Sequence, residues 1–235
     1  MTIAKHPWAN RILYAAFALH LLASSTQAHL DEPFGLPTVA VPGDRLSGTW
    51  RDLQSEMQLE LSIIAQCRVE FDSCSSAAAL RFLTIVDEGM SYVGLSRIGR
   101  INRAVNLAIR PTGIGAGRND PGKWTSPLAT LAAGIGDCKQ YVILKYAALR
   151  DAGYAPDDLQ IVIVRIRSTR EYHAVVAVRN AGRWFILDNR SLAVVESREH
   201  YEFLPVLALD HRGVRQFVLP SSPAVAGSPG PRVPA

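Results

Sequence analysis

Cys138 lies in the run Gly134-Ile135-Gly136-Asp137-Cys138-Lys139-Gln140-Tyr141, and a cysteine there can act as a nucleophile in its thiolate form. Asp137 is a good N-cap, because its carboxylate can accept from the free N–H groups of a first helical turn. Gln140 follows three residues later, where a capping box wants Glu or Gln. The spacing therefore predicts a helix that begins at Cys138. Ile143, Leu144, Ala147 and Ala148 form its apolar face, and Gly153 is its stop. Cys138 then sits at the positive end of the helix dipole, a field that favours thiolate. The Asp137 carboxylate opposes that field, so this chemistry needs a base as well.

A thiol nucleophile needs a base for its proton, and the base needs a third group to fix its tautomer. Beyond residue 28 the chain has four histidines: His29, His173, His200 and His211. His29 belongs to an N-terminal arm, and His200 and His211 read as surface residues beside the last strands. His173 lies among apolar residues in Tyr172 to Val178, a strand-like run. Asn180-Ala181-Gly182 supplies a turn into a further strand, Arg183 to Leu187. A two-residue loop at Asn180-Ala181 pairs Arg179 with Gly182 and sets His173 opposite Asp188, with Cβ atoms ~5 Å apart. The roles that follow are Cys138 as nucleophile, His173 as base and then acid, and Asp188 as the group that orients the imidazole. Taken singly, Cys138 reads by base rate as an inert buried thiol and His173 as a packed sheet histidine, and it is their combination with Asp188 that reverses the reading.

The surrounding elements change period along the chain. Met57 to Cys67, Ala77 to Gly89 and Arg97 to Arg110 read as helices, and 111–121, rich in glycine, as a loop. Trp124 reads either as a cleft residue or as a core anchor. After the cysteine helix come strands at Leu159 to Ile166, Tyr172 to Val178 and Arg183 to Leu187, then Phe203 to Leu209 and Val214 to Leu219. The expected domain layout is a signal peptide at 1–28, an extended arm at 29–55, a catalytic domain at 56–220 and a disordered tail at 221–235. The tail is rich in Pro, Gly, Ser and Ala and has little to bury.

Residues 1–28 carry the marks of a secretory signal: Lys5 and Arg11, then an apolar Ile12 to Ala23, then Thr26-Gln27-Ala28. The apolar run is shorter than the ~20 residues that span a bilayer. The chain of 235 residues has a net charge of +4. Its basic residues are scattered, which excludes a nucleic-acid partner as the reading. Three cysteines in an exported chain suggest one bridge and one free thiol. Cys67 and Cys74 are close enough to close a small loop, which leaves Cys138 over. The implied location is periplasmic or secreted.

Gly136-Asp137-Cys138, Lys145-Tyr146, His173-Ala174-Val175 and Leu187-Asp188-Asn189 together resemble the bacterial transglutaminase-like cysteine proteinases. So do Asn102-Arg103-Ala104-Val105-Asn106, Asp120 with Trp124, and the pair Cys67 and Cys74. The resemblance covers roughly residues 60–210. It implies an α+β, papain-like transglutaminase-core fold, with N-terminal helices and an antiparallel sheet packed on the cysteine-bearing helix. It implies a Cys-His-Asp triad that maps onto Cys138, His173 and Asp188. It also implies a protein substrate, a cell-surface adhesin in the best-known members. Those members depend on calcium and are held by a membrane receptor that senses cyclic-di-GMP.

In those members the cysteine has acidic residues on both sides, whereas here Lys139 and Gln140 follow it. Calcium wants several oxygen ligands, so the expectation from sequence is no cofactor and no calcium requirement. Two alternatives to proteolysis stand beside it. One is transglutaminase-type acyl transfer from the same thioester. The other is a non-catalytic binding module on the same fold.

Overall fold

The computed structural model describes residues 32–41, 43, 45–112 and 124–220. The signal segment, the C-terminal tail and Asp120 lie outside the described residues. Five helices, α1 (Arg45–Val69), α2 (Ala77–Met90), α3 (Gly94–Ala108), α4 (Pro127–Ala133) and α5 (Cys138–Asp151), pack against a seven-stranded sheet. The strands of the large sheet are β1 (Thr38–Ala40), β4 (Leu159–Ile166), β5 (Tyr172–Asn180), β6 (Arg183–Leu187), β7 (Val194–Glu196), β8 (Phe203–Asp210) and β9 (Gly213–Phe217). Their order is β1-β9-β8-β4-β5-β6-β7, antiparallel throughout. Two short strands, β2 (Arg110–Pro111) and β3 (Ile135–Gly136), pair in parallel beside the cysteine helix.

Both faces of the large sheet are covered. On one, Ile161, Val176, Val178 and Leu187 meet Val142, Ile143 and Leu149 of α5. On the other, Val162, Val164, Val175, Ile186 and Phe203 form a second core, closed by Phe34 and Leu36 of the N-terminal arm. Two-sided burial explains why β4 and β5 read as nearly continuous apolar runs.

The arm is part of the sheet. Its β1 pairs with β9, and the Phe34 ring stands edge-on to Phe217 with centroids 6.2 Å apart. Glu32 holds it there through an ion pair with Arg215 and by accepting from Gln160 Nε2 at 2.7 Å. The first helix starts at Arg45, well before Met57. Trp50, Leu53, Ile64 and Cys67 make its buried stripe, while Leu59, Leu61 and Ile63 stay exposed and blur the pattern. Trp50 Nε1 donates to the Asp210 carbonyl at 2.8 Å, and its ring meets Tyr146 and Trp124 edge-on. Trp124 is thus a core anchor. Cys67 and Cys74 are joined by a disulfide across the end of α1, and Cys138 is free.

The hairpin register differs from the sequence expectation. The two-residue loop is Ala181-Gly182, so Asn180 pairs with Arg183 and Val176 with Leu187. Ala181 and Gly182 have φ of 50° and 76°, the left-handed pair that a type I′ turn requires. The error is two residues. Because side chains alternate with period two, His173 and Asp188 keep a common face but become diagonal neighbours rather than direct opposites.

Candidate active site

The approach to Cys138 is fixed by its own short segment. Gly134 closes α4 with φ of 65°. Gly136 passes so close to Gln140 that an added Cβ would lie 2.6 Å from the Gln140 Cβ, which excludes any side chain there. β3 is tied back to the end of α3, since Arg110 N donates to Gly134 O at 3.0 Å and Thr112 N to Gly136 O at 2.9 Å. The capping box is complete: Asp137 Oδ1 accepts from Lys139 N at 2.8 Å, and Gln140 Oε1 accepts from Asp137 N at 3.0 Å. Tyr141 Oη donates to the Ile109 carbonyl at 2.8 Å and pins the first turn from behind. Cys138, half-buried, occupies the first helical position in the positive end of the dipole.

His173 is the second residue of β5, and Asp188 follows the end of β6. Both are buried, at 7% and 6% exposure. His173 Nε2 and Asp188 Oδ1 are 2.8 Å apart, and the Cys138 side chain lies close enough to the imidazole to raise its pKa. With Nε2 committed to the carboxylate, Nδ1 is the nitrogen left for the thiol. The three residues that the sequence reading singled out therefore meet.

Burial alone would pull the His173 pKa down. The hydrogen bonds and negative charge of Asp188 and Cys138 outweigh it, and the pKa lies above the ordinary imidazole value. Burial pushes Asp188 up. The bond and charge of His173, then the N–H and guanidinium of Arg190, outweigh that and hold the carboxyl well below the usual carboxylate range. The site thus favours the charged form of the imidazole beside an ionised acid.

Several neighbours were not assigned to the site by sequence. Arg190 donates its N–H to Asp188 Oδ1 at 3.0 Å and its guanidinium to Oδ2 at 3.3 Å. Asn106 donates to the Asp188 carbonyl at 3.1 Å. His200, expected at the surface, is half-buried and stacks on Phe203 with centroids 4.8 Å apart, and the Phe203 ring is 6.2 Å from that of His173. Burial lowers the His200 pKa, against the pull of Asp188 and Glu199. Lys145, two turns beyond Cys138 on α5, is wholly buried with Nζ unpartnered among the described residues. Its helical spacing from Cys138 was the available signal, and its chemistry, a charged residue on an apolar face, hid it.

Residues 59–214 match the model of a family described as bacterial transglutaminase-like cysteine proteinase BTLCP. Among solved structures, Legionella pneumophila LapG is similar with a TM-score of 0.56 at 18% identity, covering 65% of this chain and 87% of that one. Calcium-bound LapG gives 0.55 at 20% identity, covering 65% and 87%. EGTA-treated LapG gives 0.55 at 20% identity, covering 65% and 84%. At these identities the likeness is one of fold, an α+β transglutaminase core. No curated protein matches the chain.

The LapG structures correct the expectation that calcium has no part here, because a protein of this fold is solved with calcium bound and after EGTA treatment. The expectation weighed only Lys139 and Gln140 beside the thiol, whereas calcium sites gather oxygens from several segments and from backbone carbonyls. The residues beside Cys138 do not themselves fit the ion. Lys139 Nζ lies 2.6 Å from Asp137 Oδ2, and Lys139 N takes Oδ1.

Proposed function

We propose, from the premise that the chain belongs to the bacterial transglutaminase-like cysteine proteinase family, that it is an exported thiol endopeptidase working through Cys138, His173 and Asp188. The chain is a cysteine protease by family, and its substrate is a protein. The observation that carries the assignment of roles is the 2.8 Å bond of His173 to Asp188, with the Cys138 side chain close enough to the same imidazole to raise its pKa.

The Cys138 thiolate attacks the scissile carbonyl carbon while His173 holds the proton as imidazolium. Collapse of the tetrahedral adduct breaks the C–N bond, and His173 Nδ1 gives its proton to the leaving amine. A thioester remains. Water then attacks it, His173 takes the water proton, and the acid product leaves as Cys138 is restored. Asp188 on Nε2 fixes the ring and stabilises its charged form. The Cys138 backbone N–H, at the open end of α5, is an oxyanion donor, an interaction typically worth ~3 kcal/mol.

Export is supported by the signal-like residues 1–28, and the Cys67–Cys74 bridge suits an oxidising compartment. A periplasmic or cell-surface substrate, an adhesin by family resemblance, follows from that location. Comparing surface proteins of cells that carry the wild-type chain or Cys138→Ala tests both points. The variant should leave one or more surface proteins unprocessed, and an unchanged surface proteome with the variant would overturn the proposal. In vitro, Cys138→Ala and Cys138→Ser should both lose turnover by at least about a thousandfold.

A further inference from the structure

Asp188 lies past the last ladder pair of β6, Val176 with Leu187, in the connection that runs to β7 at Val194. Sheet hydrogen bonds do not fix its backbone. Two asparagines of α3 do. Asn106 Nδ2 donates to the carbonyls of Asp188 and Ser191 at 3.1 and 3.2 Å. Asn102, one turn earlier on the same face, donates to Ser191 and Leu192 at 3.2 and 3.4 Å. Asn102 is fully buried. The Oδ1 atoms of both are buried and accept no hydrogen bond among the described residues. A buried acceptor left unpaired costs ~1–3 kcal/mol, so packing by itself favours an apolar residue at either position. What the two amides supply is a grip on three carbonyls of one connection, beginning with that of the acid.

We propose, resting on the triad reading above, that Asn102 and Asn106 are positioning residues that hold Asp188 against His173. The 2.8 Å contact between carboxylate and imidazole tolerates little movement, since a misplacement of ~1 Å takes such a bond out of range. The clamp acts on the backbone of Asp188, from a different helix than the one that bears the nucleophile. The motif Asn102-Arg103-Ala104-Val105-Asn106 thereby gains a reason for its spacing: residues four apart share a helix face.

Two readouts need no substrate. Histidine-selective NMR titration follows the His173 imidazole, and iodoacetamide at pH 6 follows Cys138, the one unbridged thiol of three. Asn106→Ala should lower the His173 pKa by about one pH unit and slow alkylation roughly tenfold, because the imidazolium loses its acid. Asp188→Ala should shift both in the same direction and further. Asn106→Gln, which keeps an amide donor, should recover part of the loss. Asn102→Ala, whose amide reaches only Ser191 and Leu192, should give a smaller shift of the same sign, and it carries the test if Asn106→Ala does not fold. A lower melting temperature with His173 titration and alkylation at wild-type values would overturn the clamp. Should Asp188→Ala also leave His173 unmoved, the triad reading itself fails, and the clamp with it.

Discussion

Lys145→Met is the substitution whose outcome the structure fixes most sharply. Lys145 is fully buried on α5 and its Nζ has no hydrogen-bond partner among the described residues. Burial drags its pKa from the ordinary lysine value of 10.5 down to about 7, against the attraction of Asp188. Each tenfold change in proton affinity is about 1.4 kcal/mol, so the charged form costs the folded state about 5 kcal/mol. Between pH 7 and pH 10.5 the unfolded chain binds more protons at this residue than the folded chain does. Lys145 therefore makes stability rise with pH across that window, and its full penalty is present below pH 7. Methionine has a similar length and no charge. Replacing buried ionic groups with apolar ones gains 1–4 kcal/mol in other proteins, so Lys145→Met should be about 2–4 kcal/mol more stable at pH 7. The advantage should shrink by roughly 1.4 kcal/mol per pH unit on going to pH 9. Urea unfolding followed by circular dichroism at pH 6, 7, 8 and 9, with the disulfide intact, measures this difference. A gap that stays constant with pH, or a variant less stable than wild type at pH 7, would refute the account of Lys145 as a desolvated amine.

Two further outcomes are expected. Ala181 holds φ of 50° in the β5–β6 turn, a conformation that costs a residue with a Cβ ~1–2 kcal/mol. Ala181→Asn should raise the melting temperature by about 2–4 °C, and a fall would show that the turn is not type I′. Thiol titration of the unreduced, unfolded chain should find one group, Cys138, and three only after reduction; three before reduction would exclude the Cys67–Cys74 bridge.

What could be read from sequence divides by the distance over which a residue acts. The capping box of Asp137 and Gln140 spans three residues and was visible directly. The meeting of His173 with Asp188 rests on a single hairpin, and there the sheet forgave an error. A loop displaced by one residue shifts the pairing by two and keeps every side chain on its face, whereas a pairing slip of one would have parted imidazole from carboxylate. The start of α1 was lost because exposed Leu59, Leu61 and Ile63 interrupt the buried stripe of Trp50, Leu53, Ile64 and Cys67. The arm's place in the sheet is hidden in the sequence because three residues, Thr38 to Ala40, form its strand, and its partner β9 is more than 170 residues away. Least legible were the buried polar groups that other segments supply around the site. Asn106 reaches the Asp188 carbonyl across 82 residues, and Lys145 sits on a face that apolar periodicity assigns to packing. Spacing along one segment tells which residues could be chemical. Which ones hold the chemistry in place is decided by contacts between segments, where a helix face that looks merely polar can be the support of an acid on another element.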